Sequence, residues 1–588
     1  MAVVSFHAMD PRTAAHALTQ IAAFLELRGE SRFKAKAYEQ AARSIVTLDT
    51  DDLAVVDRQG TLAATRGLGP ATLSVVRDLI ATGESRYLEQ LRAETPAGLL
   101  DLLNVPGLAT AKIHLLHEML GIDSIESLEE AARDGRLARL KGFGPKTAAK
   151  LLRGIELYRA SGSLSLYSVG AEGARALLGM VRAHPDVASA EIAGSVRRHR
   201  ETIGDVDVVA ACTGNPLAVA ASFARGPGVR QVSGADTASP NITYMDGAHL
   251  DLHCVSETDF AVAFWRATGS KEHVQAVETM LAARGITRDG DTLRTAKGKA
   301  IGIRDEPSLY ELAGLPFIPA EMREEGRELA VAASGCMPTL IELGDIRGAL
   351  HCHSDYSDGK STIAEMAESA RARGWSYIGI TDHSQAAFYA GGLSRAQVLA
   401  QHAEIDALNE TYADFRILKG IEADILADGA LDYGEEVLKR FDFVVGSVHS
   451  RFSMDRTAMT DRVLRALDDP HLTILGHPTG RLLLSREAYA IDLDAVLEKA
   501  GAVGVAVELN ADPHRLDLDW RLIPRALEFG ATIEIGPDAH STKSLDYVAF
   551  GIGMARKAGL EAKDVLNTRS VDEVLAFARA RRAKGAKS

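Results

Sequence analysis

Cysteine is scarce: four in 588 residues, Cys212, Cys254, Cys336 and Cys352, with no paired spacing. That excludes a disulfide framework and predicts a reduced, cytoplasmic setting. Long apolar runs are missing too. No stretch approaches the roughly 20 residues of a membrane span, and Met1-Ala-Val-Val-Ser-Phe-His has no basic region ahead of an apolar core, so neither an anchor nor a secretory signal is expected. Nor is there an excess of base. With 66 Lys+Arg against 80 Asp+Glu the formal net charge is −14, which argues against coating nucleic acid by bulk attraction. The charge is uneven: residues 1–160 hold 20 of each sign, so all the excess acid lies downstream. The stretch 579–587, with five basic residues, reads as a solvated helix end or as a weak nonspecific attraction for nucleic acid. A hydrophobic content of 46% at this length predicts several globular domains.

Nine metal-type side chains stand out between positions 351 and 540: His351, His353, Asp358, His383, Glu422, His449, His477, Asp538 and His540. Nearly all end short apolar runs. Tyr377–Ile380 leads into His383, Phe443–Val445 into His449, Thr473–Leu475 into His477 and Thr532–Ile535 into Asp538 and His540. Helical stretches at 363–373, 395–410 and 493–500 alternate with these strands, the βα order of a parallel barrel, whose chemistry gathers where strands end. An isolated histidine is more often a core or surface residue than a ligand, and His402, His471 and His514, which lack the strand-end setting, are given that reading. His351 and His353 are two apart and face one way, whereas Cys352 faces the other. Imidazole with carboxylate suits Zn, Mn or Fe.

The segments His351-Cys-His-Ser-Asp-Tyr-Ser-Asp358-Gly, Thr381-Asp-His383, Gly420-Ile-Glu422, Ser447-Val-His449, Gly476-His-Pro478 and Pro537-Asp-Ala-His540 resemble the polymerase-and-histidinol-phosphatase (PHP) domain. The resemblance implies a distorted seven-stranded barrel that binds three divalent ions (Mn²⁺, Zn²⁺ or Fe²⁺) and hydrolyses phosphoesters. It places one ion on His351, His353, Glu422 and Asp538, a second on Asp358, His383 and His540, and a third on Glu422, His449 and His477. Arg481 reads either as a phosphate clamp or as one half of an ion pair.

At the front, Gly67-Leu-Gly69-Pro70, Val105-Pro-Gly107-Leu-Ala109 and Gly142-Phe-Gly144-Pro-Lys146 each separate two helical segments and look like helix-hairpin-helix motifs. Glycines let the backbone approach a phosphate, and free N–H groups at the next helix favour the anion, so DNA is held without its bases being read. The middle hairpin is the weakest, with Ala109 in place of a second glycine. Arg32-Phe-Lys34-Ala-Lys36-Ala-Tyr38 reads as a 5′-phosphate site or as a solvated helix face.

In the middle, Asp205 and Asp207 bracket one position at an apolar strand, and Asp251 can join them from a neighbour. Three carboxylates can hold two Mg²⁺ or Mn²⁺ ions; Gly194, Ser195 and Arg198, with Gly204 and Gly269, would cradle a triphosphate. The pattern resembles the nucleotidyltransferase palm, and with the hairpins a family X DNA polymerase of the bacterial type joined to a PHP domain. Arg266-Ala267, Val274 and His253 depart from that family's Tyr-Phe, Asn and Arg, which puts sugar and base selection in question. The helix after the first hairpin has no lysine, so Schiff-base lyase activity is not expected.

The expected architecture is multidomain: an all-α helix-hairpin-helix region (1–160), an α/β nucleotidyltransferase palm and thumb (161–320), a linker (321–344) and a distorted (βα)7 PHP barrel (345–588). The expected activity is Mn²⁺-dependent 3′–5′ exonuclease or 3′-end phosphoesterase, with gap filling from dNTPs, on gapped, nicked or recessed 3′ ends of DNA by a monomer away from membranes. The rivals are a DNA-end scaffold with a degenerate palm and a small-molecule phosphatase.

Overall fold

The computed structural model describes residues 9–585 except 10, 47, 49, 51, 84, 97, 100, 101, 103, 104, 106, 107, 109, 162, 163 and 246. The chain divides into two compact units, Met1–Gly162 and Ser163–Ser588. Among the described residues no helix is long and apolar enough to cross a membrane.

The first unit is helical. Helices Pro11–Leu27, Arg32–Val46 and Pro70–Thr82 bury Leu18, Ile21, Leu25, Ile45 and Val76 in one core, and Thr110–Leu120, Ile125–Arg133 and Pro145–Ser161 bury Ile113, Leu116, Leu128 and Leu151 in another. Two of these helices begin with proline directly after a hairpin glycine. Proline's fixed φ suits the first helical position, whose N–H would have no partner anyway.

The second unit opens on a five-stranded sheet in the order Val187–Ile192, Val206–Cys212, His249–Ser256, Asn241–Tyr244 and Val229–Ser233. Val206–Cys212 is apolar and buried apart from Asp207, and it runs parallel to His249–Ser256 with Asp207 level with Asp251. Helices Phe260–Thr268, Lys271–Ala283 and Glu306–Ala313 then pack around Trp265, Leu281 and Tyr310 against the hairpin Ile286–Asp289 and Thr292–Thr295.

From Gly348 onward all strands are parallel: Gly348–Ala349, Tyr377–Ile380 and Arg416–Lys419 form one sheet, and Glu422–Asp424, Val445–Ser447, Ile474–Leu475, Ala506–Asn510 and Ile533–Gly536 another. Arg416–Lys419 runs on into Glu422–Asp424, and parallel bridges His383 to Glu422 and Cys352 to Ala539 join the sheets at both ends. With that continuous pair counted as one, the eight segments make seven strands that close on themselves. Asn567 staples the seam: its amide donates to the carbonyls of Gly348 (3.1 Å) and Ile535 (3.0 Å) and accepts from the Ile535 N–H (3.0 Å). The strand before His449 is Val445–Ser447, two residues later than its apolar run suggests; Phe443 and Val444 are buried in the approach to it. The multidomain order of helical front, mixed middle and parallel α/β end is the expected one.

Helix Val548–Lys557 of the barrel packs onto the palm. Its Phe550 joins the palm's core and meets Tyr167 edge to face at 5.9 Å, and a Cβ on its Gly553 would lie 2.2 Å from His199 Nδ1, so only glycine fits. Asn567→Ala strands three buried backbone groups at the barrel seam. A loss of about 2–4 kcal/mol is expected, read as a lower urea midpoint for barrel unfolding; an unchanged midpoint would show that the seam does not need the staple.

Candidate active sites in the barrel and the palm

All nine barrel residues converge at the C-terminal ends of the strands. Glu422 is central: Oε1 lies 3.1 Å from His477 Nε2, 3.2 Å from His449 Nε2 and 3.5 Å from His351 Nε2, while Oε2 lies 2.8 Å from His383 Nδ1 and 3.8 Å from His353 Nε2. Asp538 Oδ1 is 3.2 Å from His353 Nε2 and 3.6 Å from His351 Nε2. Asp358 is 3.3 Å from His540, 3.5 Å from His383 and 3.7 Å from His353. Three groups have ligand atoms mutually within 4.8 Å: His351, His353 and Asp538; His353, Asp358, His383 and His540; and His383, Glu422 and His449. They differ from the partition implied by the resemblance in three ways: Glu422 is absent from the first group, His477 is absent from the third, and His353 and His383 each belong to two groups. His477 approaches the third through Glu422. His402, His471 and His514 lie outside all three.

The donor set fits divalent cations. His351 Nε2, His477 Nδ1 and both nitrogens of His353 are buried with no hydrogen-bond partner, a costly state for polar atoms unless something binds them. Burial alone would lower the pKa of His383, but Glu422 and Asp358 outweigh it and raise it to about 10. Glu422 and Asp424 likewise outweigh burial at His449, and Asp358 and Asp538 at His540, raising each to about 9. His353 goes the other way, to about 3, through burial and the nearby His540 and His383. The imidazoles hold Glu422 and Asp538 well below the usual carboxylate range against their burial. A dication would take the place of these protons. Backbone strain marks two of the nine, His477 (φ +24°) and Asp538 (φ +50°).

Supporting groups emerge that the strand-end pattern did not single out. Glu508 accepts from His351 Nδ1 and from the His477 N–H, both at 2.5 Å; Asp424 accepts from His449 Nδ1 at 2.7 Å; Asn510 donates to Asp538 at 3.1 Å. Such partners fix the ring orientation of a ligating histidine. Their signal in the sequence is a carboxylate inside an apolar strand, as in Ala506-Val-Glu508-Leu-Asn510. Arg515, 3.4 Å from Asp538, supplies fixed positive charge at the cluster. Arg481 does not: its guanidinium pairs with Asp519 at 2.7 Å and donates to the carbonyls of Arg515 and Leu516, so of its two readings the ion pair holds.

In the palm, Asp205, Asp207 and Asp251 come together. Burial raises the Asp205 carboxyl, and repulsion from Asp207 and Asp251 adds to it, the signature of acids that call for a cation. Gly194, with φ +56°, lies so close to Asp207 that a Cβ would sit 1.7 Å from its carboxylate, and the Ser195 hydroxyl is buried with no partner. Arg198 donates to the Thr268 carbonyl (2.7 Å) and to Glu324 (3.1 Å), which also binds Arg200 (3.2 Å) and Lys557 of the barrel helix. Burial lowers the Lys557 pKa to about 8 against the pull of Glu324. Gly204 enters Val206–Cys212, and Gly269 caps Phe260–Thr268, its N–H donating to the Trp265 carbonyl.

In the helical unit, Gly67 (φ +98°) and Gly142 (φ +94°) take the left-handed backbone that glycine tolerates, and Gly69, Gly142 and Gly144 have nothing within 4 Å of a would-be Cβ. Phe143 is buried beneath its hairpin, and Lys146 is exposed on the following helix. Gly107 lies outside the described residues. Phe33 is exposed, and Lys34 lies over the Tyr87 ring at 5.6 Å.

Family models agree with this layout: a SAM-like helix-hairpin-helix tandem matches residues 99–156, the DNA polymerase beta thumb 263–324 and the PHP domain 349–512. The DNA polymerase/3′-5′ exonuclease PolX of Bacillus subtilis is 38% identical over 567 residues, 95% of this chain and 98% of that one. The chain belongs to the family X DNA polymerases that carry a PHP domain. Probable phosphatases of Thermoanaerobacter sp. (strain X514) and Shewanella sp. (strain MR-4) are 29% and 28% identical over 37% and 34% of the chain, covering 89% and 77% of their own lengths.

Within this family X polymerase the departures have their own partners. Arg266 pairs with Asp291 at 2.7 Å and so ties the palm-side helix to the thumb hairpin. His253 Nε2 lies 3.6 Å from Asp207, and Val274 packs against the thumb core. For the barrel, Asp424→Ala removes the acceptor that orients His449. Divalent-ion binding is expected to weaken about 10–100-fold, measured by competition with a chelating dye; unchanged affinity would deny Asp424 that role.

Proposed function

We propose that this enzyme acts on DNA ends in repair. The barrel, loaded with Mn²⁺, removes nucleotides or blocking groups from 3′ ends, and the palm fills gaps from dNTPs. The convergence of nine ligands on one buried cluster, with orphaned imidazole nitrogens at its centre, carries the reading. Residues 1–160 supply DNA backbone contacts through Gly67, Gly69, Gly107, Gly142, Gly144 and Lys146, residues 161–320 the nucleotidyl transfer site, and residues 345–588 the hydrolytic one. The exposed hairpin glycines favour DNA over a small phosphorylated metabolite.

In the barrel, His351, His353, Asp358, His383, Glu422, His449, His477, Asp538 and His540 would hold the ions. When bound, divalent ions supply Lewis acidity and neutralise phosphate charge. Glu508 and Asp424 hold the His351 and His449 rings in place, and Arg515, protonated throughout the working range, adds a fixed positive charge.

In the palm, Asp205, Asp207 and Asp251 would hold Mg²⁺ or Mn²⁺, and Ser195 offers a hydroxyl without a competing partner. Arg198 reaches a triphosphate by exchanging one anion, Glu324, for another; Arg200 and Lys557 stay behind to balance Glu324. With Arg266 and Ala267 where the family has aromatics, discrimination at the sugar is weak.

A gapped duplex with dNTPs and Mn²⁺ separates the two sites. Asp207→Ala is expected to abolish extension and leave 3′ degradation intact. His353→Ala should cut degradation at least about 100-fold, the usual scale for losing a metal ligand's support, and leave extension intact. Degradation that survives His353→Ala would overturn the assignment of the barrel.

A further inference from the structure

Between His383 and Leu393 the chain makes a loop that presents its apolar side chains the wrong way round. The small Ala387 and Ala390 are buried, whereas the large Phe388 and Tyr389 are 86% and 62% exposed. Neither ring belongs to a hydrophobic core, and the two meet edge to face at 6.1 Å. The loop is tied at its base. Leu393 N–H donates to the His383 carbonyl (2.8 Å), Gly392 N–H to Ala387 (3.1 Å) and Ala386 N–H to Asp432 (2.7 Å). A Cβ on Gly392 would fall 1.9 Å from the Ser384 carbonyl. Water-facing rings on so tightly closed a loop call for a partner, because exposed aromatic surface is hydrophobic area left unburied.

The position of the rings selects that partner. Tyr389 lies 6.4 Å, centroid to centroid, from the ring of His383, a member of two of the three cluster groups. Asp358 and His540 form the most open side of the cluster, and Arg515 lies beside it, 3.4 Å from Asp538. A phosphodiester seated at the cluster therefore has a flat apolar surface on one side and a cation within reach. Nucleic acid matches both, since every base has a π-face and every linkage an anion.

We propose that Phe388 and Tyr389 form a stacking platform for the base of the 3′-terminal nucleotide of a single-stranded end, holding its phosphodiester at the barrel cluster. The proposal rests on the reading of the barrel as a 3′-end hydrolase. Stacking is indifferent to base identity, so the platform makes the barrel sequence-tolerant and binds termini that carry a base more tightly than those that do not.

The test uses the full-length protein and two single-stranded oligonucleotides, one ending at 3′ in thymidine and one in a base-less tetrahydrofuran residue. Replacing both rings (Phe388→Ala with Tyr389→Ala) is expected to raise KM for the thymidine end about tenfold, on the scale of one lost base stack. kcat should stay within about twofold, and KM for the base-less end, already high, should not move. Phe388→Tyr with Tyr389→Phe, which keeps two rings, should behave as wild type. Equal losses on both oligonucleotides, or no loss on the thymidine end, would overturn the platform. A wild-type enzyme that cuts neither oligonucleotide would instead refute the hydrolase reading, and the platform with it.

Discussion

Five imidazoles crowd one buried carboxylate, Glu422, within 4 Å. Everything about the barrel follows from keeping that arrangement together out of water. Charges of one sign there would drive the rings apart, and neutral rings would leave nitrogens unpaired, so the site is stable only as an alternation of acids and bases or around cations. The supporting carboxylates Glu508 and Asp424 and the strained backbones of His477 and Asp538 are consequences of that requirement. Each fixes a ring or carboxylate against a direction it would otherwise relax toward.

The barrel was legible because its chemistry obeys a positional rule. A parallel strand is a short β-branched run, its ligand follows at the C-terminal end, and the runs from Tyr377 and Thr532 make both visible. The palm was legible for a similar reason: Asp207 and Asp251 are level only because two apolar strands run in parallel register. What escaped was whatever lies inside a run rather than at its end. Glu508 and Glu534 sit in the middle of buried strands, where pattern reading expects an apolar residue, and Arg515 belongs to a loop whose path no periodicity describes. Arg481 shows the converse: a cation beside a ligand motif invites a phosphate, yet Asp519 and two carbonyls 34 and 35 residues downstream in the chain claim it. Long-range partners of that kind have no local signature.

The departures in the palm illustrate how a substitution acquires a structural role of its own. Arg266 offers no aromatic ring, but its ion pair with Asp291 braces the helix that ends at Gly269. His253 sits between Asp207 (3.6 Å) and the Ser239 hydroxyl (3.3 Å). Both replacements leave the three aspartates close together.

Gly553 and Phe550 carry a consequence for how the enzyme can change over time. Phe550 completes the palm's core, and the absent side chain of Gly553 makes room for His199 on the loop that follows Ser195 and Arg198. The two catalytic halves are thus not beads on a string that recombination could shuffle freely. A barrel carried in from elsewhere must supply a glycine at the place of Gly553 and a large apolar side chain at that of Phe550, or His199 and the palm core lose their fit.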